Sequence, residues 1–572
     1  MDAASLRPEH LADLTWEEIL PLYHELAEAA FDQATIVAWL ERWSRLEECL
    51  TEAASLALIA YTCDTGDPAK ERAHLRFSAE IMPRAEEQGV RLARRLVESG
   101  WSRPDLELPI RRFRTAIQIF REENVPRFAR LEELSAVYQR TTGSMTAEWQ
   151  GERRPLPMLA PFLQVADRGI REQAWRATIQ PYVEQREDLA ALFDRMLVLR
   201  QEAARQAGFA DYRDYAFESK CRFDYTPADV ERFHRAIEET VAPAAERILA
   251  LRRRRLGVPA LRPWDLAVDP WGTEPLRPFR DGAHLAATAA RVFHRLDPEL
   301  GAQFDTMIRE GLLDLDSRKG KAPGGYCDTL HFRGRPFVFM NASGVMEDVM
   351  TLMHEAGHSF HAFASHPGRL IWQRHPGSES AELASMAMEL LAAPHLGPPD
   401  GFLDAAGPRR ARLGHLEDAL LSLAHIASVD AFQTWVYTDP HGADAVARDA
   451  AWLAIRARFE RGVDWTGLEA ERVARWYRQL HIFLYPFYYI EYGIAQLGAL
   501  QVWQSSRADP AGAVAAYRRF LALGSTRPLP ELYRAAGAEL TFDRGRIAGL
   551  VGALEEEIVA LAAEAAEVAS GS

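Results

Sequence analysis

Lysine, cysteine and long apolar runs are all scarce in this 572-residue chain. Of its 67 basic residues only Lys70, Lys220, Lys319 and Lys321 are lysines, and the formal net charge is −15. No basic block occurs anywhere, which argues against nucleic acid or an anionic membrane surface as partner. The four cysteines (Cys49, Cys63, Cys221, Cys327) are scattered, with no Cys-x-x-Cys pair. That argues against a thiolate zinc site and a disulfide framework, and a reducing compartment is expected. There is no run of about 18 apolar residues to span a bilayer. Met1-Asp-Ala-Ala-Ser-Leu-Arg-Pro8 lacks the basic stretch and apolar core of a signal peptide. Also missing are internal repeats, a Walker loop, a dinucleotide glycine pattern and a Gly-x-Ser-x-Gly nucleophile elbow. The expectation is a cytoplasmic protein, monomer or small homo-oligomer, with neither nucleic acid nor membrane as partner.

What is present is mostly helix. Thr15-Trp-Glu-Glu18 has the spacing of a capping box and opens a helix with Ile19, Leu22, Tyr23 and Leu26 on one side. Amphipathic segments follow near 33–62, 68–99, 109–122, 126–142 and 168–206, with a Gly- and Pro-containing break over 143–167. Thr226-Pro-Ala-Asp229 combines an N-cap, a first-turn proline and an acid, and starts a helix to about Leu256. Five prolines make 257–282 a long irregular loop. One hairpin is predicted: Gly325–Phe332 and Pro336–Asn341 flank the tight Arg333-Gly334-Arg335, behind the glycine-rich loop Lys319–Gly325. Its second strand directly precedes the chain's most informative helix, so a peptide could pair with a free strand edge there. A purely structural hairpin has equal claim.

That helix contains His354-Glu355-Ala-Gly-His358, flanked by Val349, Leu352, Met353, Phe360 and Phe363. Positions four apart share a helix face, so His354 and His358 can hold one metal. Glu355 sits where a carboxylate can take a proton from the attacking water. A catalytic zinc needs a third protein ligand. The metzincin position is Ala364, which excludes that class, while His361 and His366 read as structural. The next helix offers Glu379, Glu382 and Glu389. Glu382 and Glu389 are two turns apart on one face, so one could bind metal while the other orients a ligand histidine. Spacing does not choose between Glu379 and Glu382.

Residues 481–492 carry five polar-tipped rings: His481, Tyr485, Tyr488, Tyr489 and Tyr492. An aromatic core explains such a cluster, but so does catalysis. Attack on an amide builds an oxyanion, and tyrosine and histidine can donate to it.

These stretches together resemble the thimet oligopeptidase/oligoendopeptidase F family of zinc metallopeptidases, closest to its bacterial Pz-peptidase-like branch. The matching stretches are Ala207-Gly-Phe through Tyr215, Gly324-Gly-Tyr-Cys327, Pro336-Phe-Val-Phe339, His354 to His358, Ala381-Glu382-Leu-Ala-Ser385 and His481 through Tyr492. The resemblance implies a mainly α fold of two helical lobes around a deep substrate channel, with a small antiparallel sheet beside the metal helix. It divides the chain into an N-terminal helical lobe over 1–200 and a catalytic region over 201–572. It implies one Zn²⁺ per chain held by His354, His358 and Glu382, with Glu389 behind a ligand histidine. Glu355, His481 and Tyr492 are then catalytic, and Gly324, Gly325, Tyr485, Tyr488 and Tyr489 bind substrate. The activity implied is hydrolysis of internal bonds in short unfolded oligopeptides. Tyr-Tyr-Ile-Glu-Tyr stands where many relatives have Tyr-Val-Tyr-x-Tyr, which leaves the roles of Tyr488 and Tyr489 open. The alternatives are a helical zinc carboxypeptidase and a non-catalytic peptide-binding relative.

Overall fold

Five strands and a majority of helix make up the computed structural model, which describes residues 6–571 apart from 271–275, 319, 323, 368 and 406. The strands are β1 (Thr146–Trp149), β2 (Glu152–Pro155), β3 (Leu313–Asp316), β4 (Tyr326–Leu330) and β5 (Arg335–Ala342). β1 and β2 form a small antiparallel hairpin in the segment expected to be only a break between helices. β4 and β5 are the predicted antiparallel hairpin, with Leu330 opposite Arg335.

β3 adds to β5 in parallel, giving the order β3-β5-β4. This corrects one expectation. β5, which holds Pro336–Asn341, is the central strand with both sides paired, so it has no edge to offer a peptide. β4 is an outer strand. Of the glycine-rich loop before it, Lys319 and Pro323 lie outside the described residues. The remainder is held from two directions. Buried Lys321 Nζ donates to Asp314 Oδ1 at 2.8 Å, Asp316 O at 2.9 Å and the Met340 carbonyl, while Asn341 Nδ2 donates to Ala322 O at 2.7 Å and Gly324 O at 3.0 Å.

The chain forms two units, each assembled from three segments. The first comprises Met1–Phe120, Leu276–Pro408 and Gly498–Leu540; the second comprises Arg121–Pro275, Arg409–Leu497 and Thr541–Ser572. Residue 200, where the resemblance divides the chain, lies in the helix Arg186–Gln206 of the second unit.

In the first unit, helix α1 (Ile36–Cys63) buries Trp39, Trp43, Leu46 and Leu50 at helical spacing against Ile19, Tyr23 and Leu92. The Thr15–Glu18 capping box is present, with Thr15 N donating to Glu18 Oε2 at 2.8 Å. The same unit carries α2 (Met346–Ser365) and α3 (Ser378–Ala392), which pack directly on one another. The core of the second unit includes Phe193, Phe432, Trp452 and Trp476, with Phe432 5.2 Å from Trp452 and 5.5 Å from Trp476. The Thr226–Asp229 box opens its helix Pro227–Leu256, which ends on left-handed Gly257. Here too lie α4 (Ala445–Phe459) and α5 (Leu480–Leu484), and α6 (Tyr489–Ala508) begins. No described helix is long and apolar enough to cross a membrane.

Candidate metal centre and aromatic cluster

α2 starts where it does because of Asp348. Its Oδ2 accepts from the backbone N–H groups of Ser343 at 2.8 Å, Gly344 at 2.9 Å and Val345 at 3.0 Å. Val345 is the N-cap and the other two donors belong to the turn before it, so one carboxylate ties the turn to the first turn of the helix. Gly344, at φ +92°, makes the turn from β5 into the helix. Val349, Leu352, Met353, Ala356 and Phe360 then bury one face, and Phe360 meets Phe293 edge-on at 5.0 Å. The other face presents His354 and His358, whose ring centroids lie 5.0 Å apart.

Glu382 reaches them because α2 and α3 approach unusually closely. A Cβ on Gly357 would stand 2.5 Å from Ala384 O and 2.6 Å from Ser385 Cα, so only glycine fits between the histidines' turn and the α3 backbone. Tyr517 OH, donating to Ala384 O at 2.8 Å, braces α3 at the same point.

His354, His358 and Glu382 each offer one ligand atom, all within 4.8 Å of one another. Glu382 Oε2 is 3.4 Å from His354 Nε2 and 3.9 Å from His358 Nε2. A tetrahedral zinc about 2.0–2.2 Å from each ligand spaces the ligand atoms by roughly 3.3–3.6 Å. The 3.4 Å separation falls in that range and the 3.9 Å separation just beyond it, so two imidazoles and a carboxylate, ligand types that zinc takes, stand near such a geometry. Glu389 Oε1 lies 2.7 Å from His354 Nδ1 and so fixes the tautomer that frees Nε2. Burial disfavours a charged His354, yet hydrogen bonding to Glu382 and Glu389 outweighs it and raises the imidazole well above its ordinary value. A pocket that draws a proton in this way draws a metal cation for the same electrostatic reason. Burial pushes His358 down to about 4, in keeping with a neutral ligand, and pushes the Glu355 carboxyl up to about 7. Glu379 is buried beside the group but not part of it. His361 is buried against Phe520 at 5.5 Å, and His366 packs on Gly334 in the hairpin turn, both structural positions.

β4 leans on the same helix: Cys327 Sγ and Ser359 Oγ are 3.4 Å apart. Gly324 and Gly325 lead into this strand, and Tyr326 OH is 2.7 Å from Thr62 Oγ1 at the end of α1.

The second group of predicted residues lies in the second unit. The His481 ring is surrounded by Tyr489 at 5.0 Å, Tyr488 and Tyr492 at 5.9 Å and Tyr485 at 6.0 Å. Tyr485 is the most exposed of the four tyrosines. Between α5 and α6, Phe487 adopts φ +63°, a left-handed conformation that costs a bulky residue about 1 kcal/mol or more. It is held there at both ends. Its N–H donates to Gln433 Oε1 at 2.8 Å, and its carbonyl accepts from Arg222 Nη2, which also donates to Glu491 Oε1 at 2.9 Å. Arg222 and Gln433 were not identifiable from sequence. They act across 265 and 54 residues, and no local pattern announces such a contact.

Residues 162–550 match Peptidase family M3, and residues 11–112 match the Peptidase M3 N-terminal domain. Oligopeptidase PepF of Bacillus subtilis is 22% identical over 394 residues, which covers 66% of this chain and 55% of that protein. An oligoendopeptidase F homolog of Mycoplasma pneumoniae is 23% identical over 417 residues, 66% of this chain and 63% of its own length. The chain thus spans little more than half the length of the first of these relatives. A solved structure of Pz peptidase A with an inhibitor superposes with a TM-score of 0.90 at 28% identity, covering 98% of this chain and 99% of that one.

Proposed function

Since the chain belongs to peptidase family M3, we propose that it is a zinc metallo-endopeptidase that hydrolyses internal bonds of short unfolded oligopeptides. The observation that carries this reading is the convergence of His354, His358 and Glu382 on one point, with Glu389 on the far nitrogen of His354. The names of the relatives, an oligopeptidase and an oligoendopeptidase F homolog, support the substrate class.

In this reading His354, His358 and Glu382 hold Zn²⁺, which when bound acidifies water and polarises the scissile carbonyl. Glu389 keeps His354 in the tautomer that offers Nε2. Glu355 accepts a proton from the attacking water as its oxygen bonds to the carbonyl carbon. It then passes that proton to the amine nitrogen as the C–N bond breaks. His481 and Tyr492 donate to the developing oxyanion, a role in which losing one donor typically costs about 10²–10³ in rate. The substrate backbone pairs with the outer strand β4, led in by Gly324 and Gly325, rather than with β5. Tyr485, Tyr488 and Tyr489 line the bound peptide.

The test is Glu355→Gln. It removes the proton acceptor and leaves all three ligands, so zinc content stays stoichiometric while hydrolysis is abolished. Near-wild-type activity in that variant refutes the mechanism. Cleavage of a peptide blocked at both ends, read by mass spectrometry, distinguishes an endopeptidase from a carboxypeptidase.

A further inference from the structure

Behind the aromatic cluster runs a chain of hydrogen bonds with a fixed direction. It begins at Arg456 on α4, which is 3% exposed. Arg456 Nη2 donates to Glu460 Oε1 at 2.7 Å, and Arg475 Nη1 donates to the same oxygen at 2.6 Å. Arg456 Nη1 donates to Ser428 Oγ at 2.6 Å and lies 2.8 Å from His425 Nδ1. A guanidinium has no lone pair and keeps its charge, so it can only donate. His425 Nδ1 must therefore be the acceptor. Burial, with Arg456 and Arg475 beside it, holds the His425 imidazole down at about 3, so the ring is neutral and its single proton sits on Nε2.

Hydrogen bonding to the Gln479 side chain works against that burial and favours the protonated ring, the effect of an amide oxygen facing it, and the His425 ring stands 5.6 Å from that of Tyr489. An amide that turns its oxygen towards His425 must turn its NH₂ the other way, and Gln479 Nε2 donates to the Tyr489 hydroxyl oxygen. Tyr489 is thus an acceptor from behind. Its own O–H proton is left to point away from Gln479, and no described side chain takes it. The ring is half-buried, 5.0 Å from His481 and 5.7 Å from Tyr492.

We propose that Gln479 is a positioning residue that commits Tyr489 to donate its hydroxyl proton to the peptide substrate, with His425 and Arg456 setting the polarity of the relay. This rests on the peptidase reading above. It turns Tyr489 from one of several lining rings into a directed hydrogen-bond donor for a carbonyl oxygen, and it gives a reason for an arginine to be buried behind the cluster. A network present only for stability would need the same contacts but not the same direction.

Direction is testable with an isosteric change. In Gln479→Glu a carboxylate accepts from both His425 Nε2–H and Tyr489 O–H, so the tyrosine proton is drawn inward while shape is kept. The expected result is a kcat/KM reduced to that of Tyr489→Phe, with unchanged zinc content and Tm. Adding Gln479→Glu to Tyr489→Phe then costs nothing more. Wild-type kcat/KM in folded Gln479→Glu, or an equal further loss in the Tyr489→Phe background, overturns the inference. The Raman Fermi doublet of Tyr489, isolated by subtracting the Tyr489→Phe spectrum, reads the same direction without substrate. It should shift towards the donor form in Gln479→Glu, and an unshifted doublet overturns the inference. If the wild-type protein cleaves no peptide, the peptidase reading fails and the Raman comparison still decides the polarity.

Discussion

Gly357→Ala isolates the packing on which the metal centre depends. In an open helix interior this change is favourable by about 1 kcal/mol. Here the added methyl would stand 2.5 Å from Ala384 O, about 0.9 Å short of the 3.4 Å at which ordinary contact begins. The obstructing atoms are backbone of α3, held by Tyr517, so no side chain can rotate out of the way. α3 must move back by a comparable distance and carries Glu382 with it. The 3.4 Å separation of His354 Nε2 and Glu382 Oε2 then widens, and so does the 3.9 Å separation of His358 Nε2 and Glu382 Oε2, which already exceeds tetrahedral spacing, so the carboxylate draws away from a metal held by the histidines. Overpacking of this kind costs about 1–3 kcal/mol of folding stability. Where zinc must draw α3 back against the methyl, the bound state bears that strain, and the affinity falls by at most roughly 5- to 150-fold. Chelator competition measures that affinity, and thermal unfolding of the zinc-free protein measures the packing cost separately. Gly414→Ala is the control, because a Cβ there meets nothing within 4 Å and the position is exposed. It should leave zinc affinity unchanged and raise stability slightly. Wild-type zinc affinity in Gly357→Ala would refute the argument that helix proximity builds the site.

Glu389→Gln keeps the size of the group behind His354 but removes its charge, and zinc affinity should fall about 10- to 100-fold by competition titration. Tyr492→Phe should lower kcat more than it raises KM; the reverse split makes Tyr492 a binding residue only. Glu47 lies beside Trp43 and Tyr23, and burial raises its carboxyl to about 7 although both neighbours donate to it. An acid raised on folding costs stability as its proton leaves, and the cost grows from about pH 4.5 to pH 7. Glu47→Gln should therefore raise Tm at pH 8, by an amount equivalent to about 1–3 kcal/mol, and leave it nearly unchanged at pH 4.5.

Features carried by local chemistry were readable in advance. Both capping boxes, Thr15–Glu18 and Thr226–Asp229, occur at helix starts because side-chain and backbone partners are three residues apart. The β4–β5 hairpin was readable for the same reason, its strands being joined by a tight turn at Gly334. β1 and β2 were not, since Thr-Ala-Glu-Trp and Glu-Arg-Arg-Pro show neither β-branched enrichment nor a clean alternation. Nor was the third strand. Its parallel pairing of Leu313 with Val338 crosses a loop, and nothing in either stretch marks the partner. That pairing decides which strand is outermost, and so moves the proposed peptide edge from β5 to β4.

The sequence by itself determined that a helix would present two imidazoles and a carboxylate, because a four-residue spacing on a helix leaves no other arrangement. It also determined that a cluster of hydroxyl-bearing rings would follow far downstream. Spacing left Glu379 and Glu382 equal and only the family resemblance favoured Glu382; the tertiary structure brings Glu382, and not Glu379, to the histidines. The reason is steric: two helices can approach closely enough only across the missing side chain of Gly357. It alone brought Arg456 against His425 and Gln479 against Tyr489, the contacts on which the proposed polarity of the Tyr489 hydroxyl rests, and those residues share no sequence pattern.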